Sequence, residues 1–103
     1  METYAYVRVS SKDQNPERQL IAIRELSVRE QNIFLDKESG KDFERPAYEK
    51  MIGMLRRGDL LIVKSIDRLG RDYEEIKAQW EHITKHIGAD IRVLDMPLLN
   101  TTT

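Results

Sequence analysis

The spacing of hydrophobic and polar positions changes along the chain, and each change marks an element. Residues 3–9 are rich in aromatic and β-branched side chains (Tyr4, Tyr6, Val7, Val9) and predict a first strand. Asn15-Pro16 then offers a helix cap followed by proline at the first helical position. Leu20, Ile23 and Leu26 form an apolar stripe that predicts a helix running to about residue 30. Residues 32–35 read as a second short strand. Residues 36–45 hold Gly40 among mostly polar side chains with no period, and a loop of that length in a small domain is often functional or mobile. Pro46 opens a second helix in which Tyr48, Met51, Ile52 and Leu55 recur at i, i+3, i+4 and i+7, with Gly58 expected at its C′ position.

Residues 60–63 are a continuous apolar run, which suits a strand buried on both faces. Asp72 and Glu75 have the spacing of a capping box and predict a third helix. Its apolar face holds Ile76, Trp80, Ile83 and Ile87, and Gly88 ends it. Residues 91–94 read as a fourth strand, and residues 95–103 show no period. Trp80, Met51 and Met54 are expected in the core. Strict alternation of strands and helices predicts an α/β fold: a mainly parallel central sheet of about four strands with flanking helices.

Composition narrows the function. A chain of 103 residues has room for one domain, and 40% hydrophobic residues supply a core without covalent staples. The absence of cysteine excludes a disulfide framework and a thiolate metal site. His82 and His86, four positions apart, read as part of a solvated helical face, because two ligands rarely suffice for zinc. No apolar run approaches the roughly 20 residues needed to cross a bilayer. The acidic opening Met1-Glu2-Thr3 lacks the basic start of a signal peptide, so the chain reads as soluble and cytoplasmic. A formal net charge of −1 lacks the basic excess of a self-sufficient nucleic-acid binder.

In open α/β sheets, ligands bind beyond the carboxyl ends of the strands. After the first strand come Ser10, Ser11 and Gln14, with Arg8 just before its end. After the second come Asp36, Ser39 and Arg45; after the third, Lys64, Asp67, Arg68 and Arg71. Forked guanidinium groups donate paired charged hydrogen bonds to phosphate, so arginines around one serine suggest a phosphodiester handled by a hydroxyl nucleophile. The plainer alternatives are a turn serine at Ser10 and a surface ion pair between Arg68 and Asp67 or Asp72. Taken by themselves, these residues describe an anion-binding α/β domain.

Three stretches go further. Tyr4-Ala5-Tyr6-Val7-Arg8-Val9-Ser10-Ser11 resembles the Y-x-R-V-S opening of the resolvase/invertase family of serine site-specific recombinases. Lys64-Ser65-Ile66-Asp67-Arg68-Leu69-Gly70-Arg71-Asp72 resembles that family's D-R-L-G-R signature, and Asp36-Lys37-Glu38-Ser39-Gly40 with Arg45-Pro46 is similar to its mobile-loop region. The blocks stand in order, each at a predicted strand end. The resemblance implies that Ser10 is the nucleophile, becoming joined to the DNA 5′ phosphate. It implies that Arg8, Arg68 and Arg71 hold that phosphate and activate the serine, and that Arg45 is a further arginine of the site at the end of the loop. Asp67 would help protonate the leaving 3′ oxygen, and Tyr6, Gln14, Gln19, Asp36 and Ser39 would support the site. Of the adjacent hydroxyls Ser10 and Ser11, the R-V-S pattern selects Ser10.

The mechanism so implied is transesterification without hydrolysis, with no ATP, metal or other cofactor. The implied partner is double-stranded DNA, bound by the full-length protein as a dimer or tetramer. The family continues past the fourth strand into a long helix and a DNA-binding domain. Residues 1–103 are therefore expected to be the catalytic domain without its DNA-binding part, inactive alone. A phosphatase-like hydrolase acting through Ser10 would call for a glycine-rich phosphate cradle or a metal cluster. A non-catalytic interaction domain on the same fold would have no need of Arg8, Ser10, Arg68 and Arg71 together. The loop at residues 37–44 has few apolar anchors and is expected to be poorly ordered without DNA.

Overall fold

Alternation along the first strand decides how the layers form. In β1 (Thr3–Val9), Tyr4 and Tyr6 enter one core with Leu61, Val63, Ile91 and Val93. Ala5 and Val7 enter a second core with Ile62 and Ile23. Successive side chains of a strand point to opposite faces, so a sheet buried on both sides needs this continuous apolar content. The structure, a computed structural model, describes residues 2–9, 17–26, 28–37, 45–70 and 72–95, and of residues 9, 17–19, 67 and 68 the backbone alone.

β2 (Ile33–Lys37), β3 (Leu60–Val63) and β4 (Asp90–Val93) complete a parallel sheet in the order β2-β1-β3-β4. Helix α1 (Glu17–Arg24) covers one face through Ile23. Helices α2 (Pro46–Met54) and α3 (Tyr73–Glu81) lie on the other, where Tyr48 and Met51 are buried and Trp80 packs against the same core. The result is the expected α/β architecture in three layers. The chain leaves β1 toward β2 and later returns to the opposite side of β1 with β3. The strand order therefore reverses between β1 and β3, the kind of point at which open sheets form a crevice.

Several boundaries differ from the sequence expectation. The first helix ends at Arg24 rather than near residue 30, and a 3₁₀ turn at Glu30–Asn32 leads into the sheet. Asn32 is not a strand residue but is buried, its Nδ2 donating to the Thr3 carbonyl and to Glu2 Oε2, both at 3.1 Å. β2 extends to Lys37, so Asp36 belongs to the strand and not to the loop, because Arg8 and Val9 pair with Asp36 and Lys37 across the ladder. Helix α2 stops at Met54, and Leu55 is already extended. Gly58 accordingly is not its C′ residue. It sits in the turn before β3 at φ +89°, donating its N–H to the Gly88 carbonyl. Met51 is fully buried, whereas Met54 is 38% exposed and not a core residue.

Asp72 caps α3 as expected, with Oδ1 accepting the Glu75 N–H at 2.9 Å. The helix then widens into a π-helix, His82–Ile87, which the apolar spacing did not distinguish from α-helix. Gly88 ends it in the left-handed region at φ +85°, and the Ile83 carbonyl accepts from both Gly88 and Ala89 N–H groups. β4 begins one residue earlier than expected, as the Asp90 N–H donates to the Asp59 carbonyl. Among the described residues, no helix is long and apolar enough to cross a membrane.

Candidate active site

The carboxyl ends of β1, β2 and β3 meet the first turn of α2 and the start of α3, and a connected polar cluster fills that junction. Arg8, one residue before the end of β1, lies on the same strand face as Tyr6, and its Nε and Nη1 are shielded from solvent. Across the ladder from Arg8 stands Asp36, only 5% exposed. Its carboxylate accepts three hydrogen bonds: Tyr6 Oη at 2.9 Å, Ala47 N–H at 3.0 Å and Tyr48 N–H at 3.0 Å.

Those two amides belong to the first turn of α2, where N–H groups have no partner within the helix. Pro46 occupies the opening position, and Arg45 before it makes no side-chain cap. The cap is instead delivered from the neighbouring strand, with a negative charge at the positive end of the helix dipole. Burial holds the Tyr6 hydroxyl protonated well above the ordinary tyrosine range, and the charge and hydrogen bond of Asp36 push the same way.

Arg45 is 7% exposed and spans three elements. Its Nη1 donates to the Leu69 carbonyl at 2.6 Å and its Nη2 to Glu75 Oε1 at 3.1 Å. Its guanidinium carbon lies 4.0 Å from the centre of the Tyr48 ring, a cation–π contact. Tyr48 packs edge-on against Tyr6 at 4.9 Å and donates its hydroxyl to Gln79 Oε1 at 2.7 Å. Burial also raises the pKa of Tyr48; the Arg45 charge opposes this and the Glu75 charge adds to it. A cavity of about 210 Å³ beside Arg45 is lined by Tyr48, Glu49, Ile52, Gln79 and His82.

After β3 the chain makes a 3₁₀ turn, Ile66–Leu69, with Leu69 fully buried. Gly70 follows with its backbone against the first turn of α3. A Cβ there would lie 2.8 Å from Ile76 N and 2.9 Å from both Cβ and Cγ of Glu75. Glycine is thus required by close approach, not by backbone angle.

Of the residues singled out from sequence, Tyr6, Arg8, Asp36 and Arg45 gather at this junction. Asp67 and Arg68 lie on the 3₁₀ turn, and Gln19 lies in α1, each described by its backbone. Ser10, Gln14, Ser39 and Arg71 lie outside the described residues, as do residues 38–44 of the loop. Tyr48 and Glu75 were read as a core position and half of a capping box; their part in the cluster was missed. The usable signal was Arg45 itself, since a buried guanidinium calls for a carboxylate and an aromatic face. His82 and His86 are exposed, with ring centroids 5.8 Å apart. Among the described residues, no three His, Asp or Glu side chains are grouped to hold a metal ion.

The sequence matches the family model described as Resolvase, N terminal domain, over residues 3–103. It is 41% identical over 96 residues to the transposon Tn501 resolvase of Pseudomonas aeruginosa, covering 93% of this chain and 48% of that protein. It is 45% identical over 71 residues to the DNA-invertase of Enterobacteria phage P7, covering 69% of this chain and 37% of the invertase. The chain thus spans about half, or less, of the curated relatives it matches. Among solved structures, the N-terminal catalytic domain of TP901-1 integrase superposes with a TM-score of 0.71 at 21% identity, covering 94% of this chain and 79% of that one. At that identity the superposition speaks to the fold.

Proposed function

The chain belongs to the resolvase N-terminal domain family of serine site-specific recombinases, and from that premise we propose that it is the catalytic domain of an enzyme that cuts and rejoins duplex DNA through Ser10. The Ser10 hydroxyl attacks the scissile phosphate, and its proton passes to water as the new P–O bond forms. The 3′ oxygen leaves as a hydroxyl, with Asp67 as its proton donor. Attack by a 3′ hydroxyl on the phosphoserine reverses the step and restores both the phosphodiester and the serine.

Arg8, Arg68 and Arg71 neutralise the pentacoordinate phosphorus, being permanently charged and forked, with Arg45 beside them at the end of the loop. No nucleotide or metal is needed for energy, since the phosphoserine linkage conserves that of the phosphodiester. The active species is a dimer or tetramer of the longer protein on DNA. The observation that supports this reading most is the arrangement of its motif blocks. Arg8 near the end of β1 and the Ile66–Leu69 turn after β3 flank the point where strand order reverses, with the Asp36 and Arg45 cluster beside them.

The test is covalent trapping. In a family-length recombinase carrying this chain, a reaction halted midway in excess EDTA should leave the DNA 5′ phosphate on Ser10 and a free 3′ hydroxyl. Ser10→Ala should abolish cleavage and spare DNA binding. Attachment mapped to Ser11, or cleavage that strictly requires Mg²⁺, would overturn the mechanism.

A further inference from the structure

We propose that Glu75 is a positioning residue for strand cleavage: through Arg45 it fixes the turn carrying Asp67 and Arg68 against the strand-end cluster. The inference rests on the cleavage reading for what is positioned, and on geometry for how.

Glu75 is held from three directions. Its N–H donates to Asp72 Oδ1 at 2.9 Å, which sets it in the first turn of α3. Its Cβ and Cγ occupy the space that a Cβ on residue 70 would need, at 2.9 Å. Its carboxylate turns to Arg45 Nη2 at 3.1 Å. The opposite Nη of the same guanidinium donates to the Leu69 carbonyl at 2.6 Å, within the turn itself. Arg45 therefore bridges Glu75 and Leu69, two points on either side of Gly70. The turn cannot shift along α3 without breaking one of these bonds.

The rest of Arg45 connects to the strand ends. Its guanidinium lies over the Tyr48 ring, Tyr48 packs on Tyr6, and Tyr6 donates to Asp36. A carboxylate in the first turn of a helix normally reaches back to its own cap residue. Here the diverted carboxylate ties the turn after β3 to the start of α2. Beyond keeping a 7% exposed guanidinium matched to a carboxylate, the pair couples two elements. What it supplies is geometry, and misplacement of reacting groups by about 1 Å can slow a reaction on the order of 10²-fold.

Two measurements test this. In the 103-residue chain, nitrogen-15 NMR of Arg45 should show split, slowly exchanging Nη signals. E75A should collapse them and shift the amides of Asp67, Arg68 and Leu69. E75Q, whose amide oxygen still accepts from Nη2, should keep the pattern. In a family-length recombinase, E75A should lower the single-turnover cleavage rate by about 10²-fold with DNA affinity unchanged, and E75Q should restore most of it. Unmoved Arg45 and turn signals in folded E75A, or moved signals with an unchanged cleavage rate, overturn the proposal; so does E75Q as defective as E75A. Should E75A fail to fold, E75D, whose shorter side chain withdraws the carboxylate from Nη2, must move the same signals, and silence there overturns it equally. Cleavage persisting in Ser10→Ala would defeat the cleavage reading and leave the clamp intact.

Discussion

Replacing Asp36 by alanine removes the acceptor of Tyr6, Ala47 and Tyr48 in one step. The loss combines a helix cap with a buried hydroxyl left without its acceptor, so Asp36→Ala should destabilise the chain by about 3 kcal/mol. Urea unfolding should show a lower midpoint with an unchanged slope; a loss below about 1 kcal/mol would mean that water replaces the carboxylate. Tyr6 and Tyr48 make a second prediction. Burial, the leading cause at each, raises both above the unfolded tyrosine value of 10.0. Above pH 10 the unfolded chain releases protons that the folded chain keeps, so stability is fully present below that pH and falls as pH rises further. Absorbance of tyrosinate from Tyr6 and Tyr48 should therefore appear only with loss of the native circular dichroism. Ionisation of all tyrosines in a single early stage would contradict the burial argument.

Helices in this domain end by different means. The Glu25 N–H closes α1 on the Ile21 carbonyl, Leu55 ends α2 by turning extended, and Gly88 ends the π-helical extension of α3 in the left-handed region. Gly88 and Gly58 both have positive φ, at +85° and +89°, but only at Gly88 would a Cβ meet a neighbour, Arg57 Cγ at 3.2 Å. Gly58→Ala should lose about 1 kcal/mol from backbone strain alone. Gly88→Ala should lose that and somewhat more, since the Arg57 stem must move aside. Thermal melts of the two variants, compared side by side, check the order; equal losses would show that Arg57 yields freely.

For the molecule as a whole, charge limits what these residues do unaided. With 17 basic and 18 acidic residues, neutralisation of DNA phosphates releases few counterions. Sequence is read by groups reaching base edges, and among the described residues no helix is left to enter a groove, since α1, α2 and α3 all pack on the sheet. The 103-residue chain should bind duplex DNA with a dissociation constant of about 10⁻⁵ M or weaker at physiological salt, without sequence preference. A gel-shift titration with specific and scrambled duplexes checks this, and submicromolar, site-selective binding would contradict it.

The sequence by itself determined what local chemistry can specify. Thr3–Val9 and Leu60–Val63 were legible to the residue, because apolar and β-branched runs bounded by polar turns have little alternative to a buried strand. Asp72 as a cap and Gly88 as a stop were legible for the same reason, as was the alternation that makes the sheet parallel. The motif blocks also pointed to the strand ends at which Arg8, Asp36 and Arg45 are found. Only the tertiary structure decided how those residues are held. Asp36 caps a helix from a neighbouring strand, and its bond to Tyr6 spans 30 residues. Arg45 and Glu75 are also 30 residues apart, and the capping-box spacing of Glu75 gave no sign of that partner. Buried polar groups must be satisfied, but the nearest group in space is chosen by strand order, which local sequence does not encode. The point between β1 and β3 exists for the same reason: it belongs to the order β2-β1-β3-β4, and no single segment contains it.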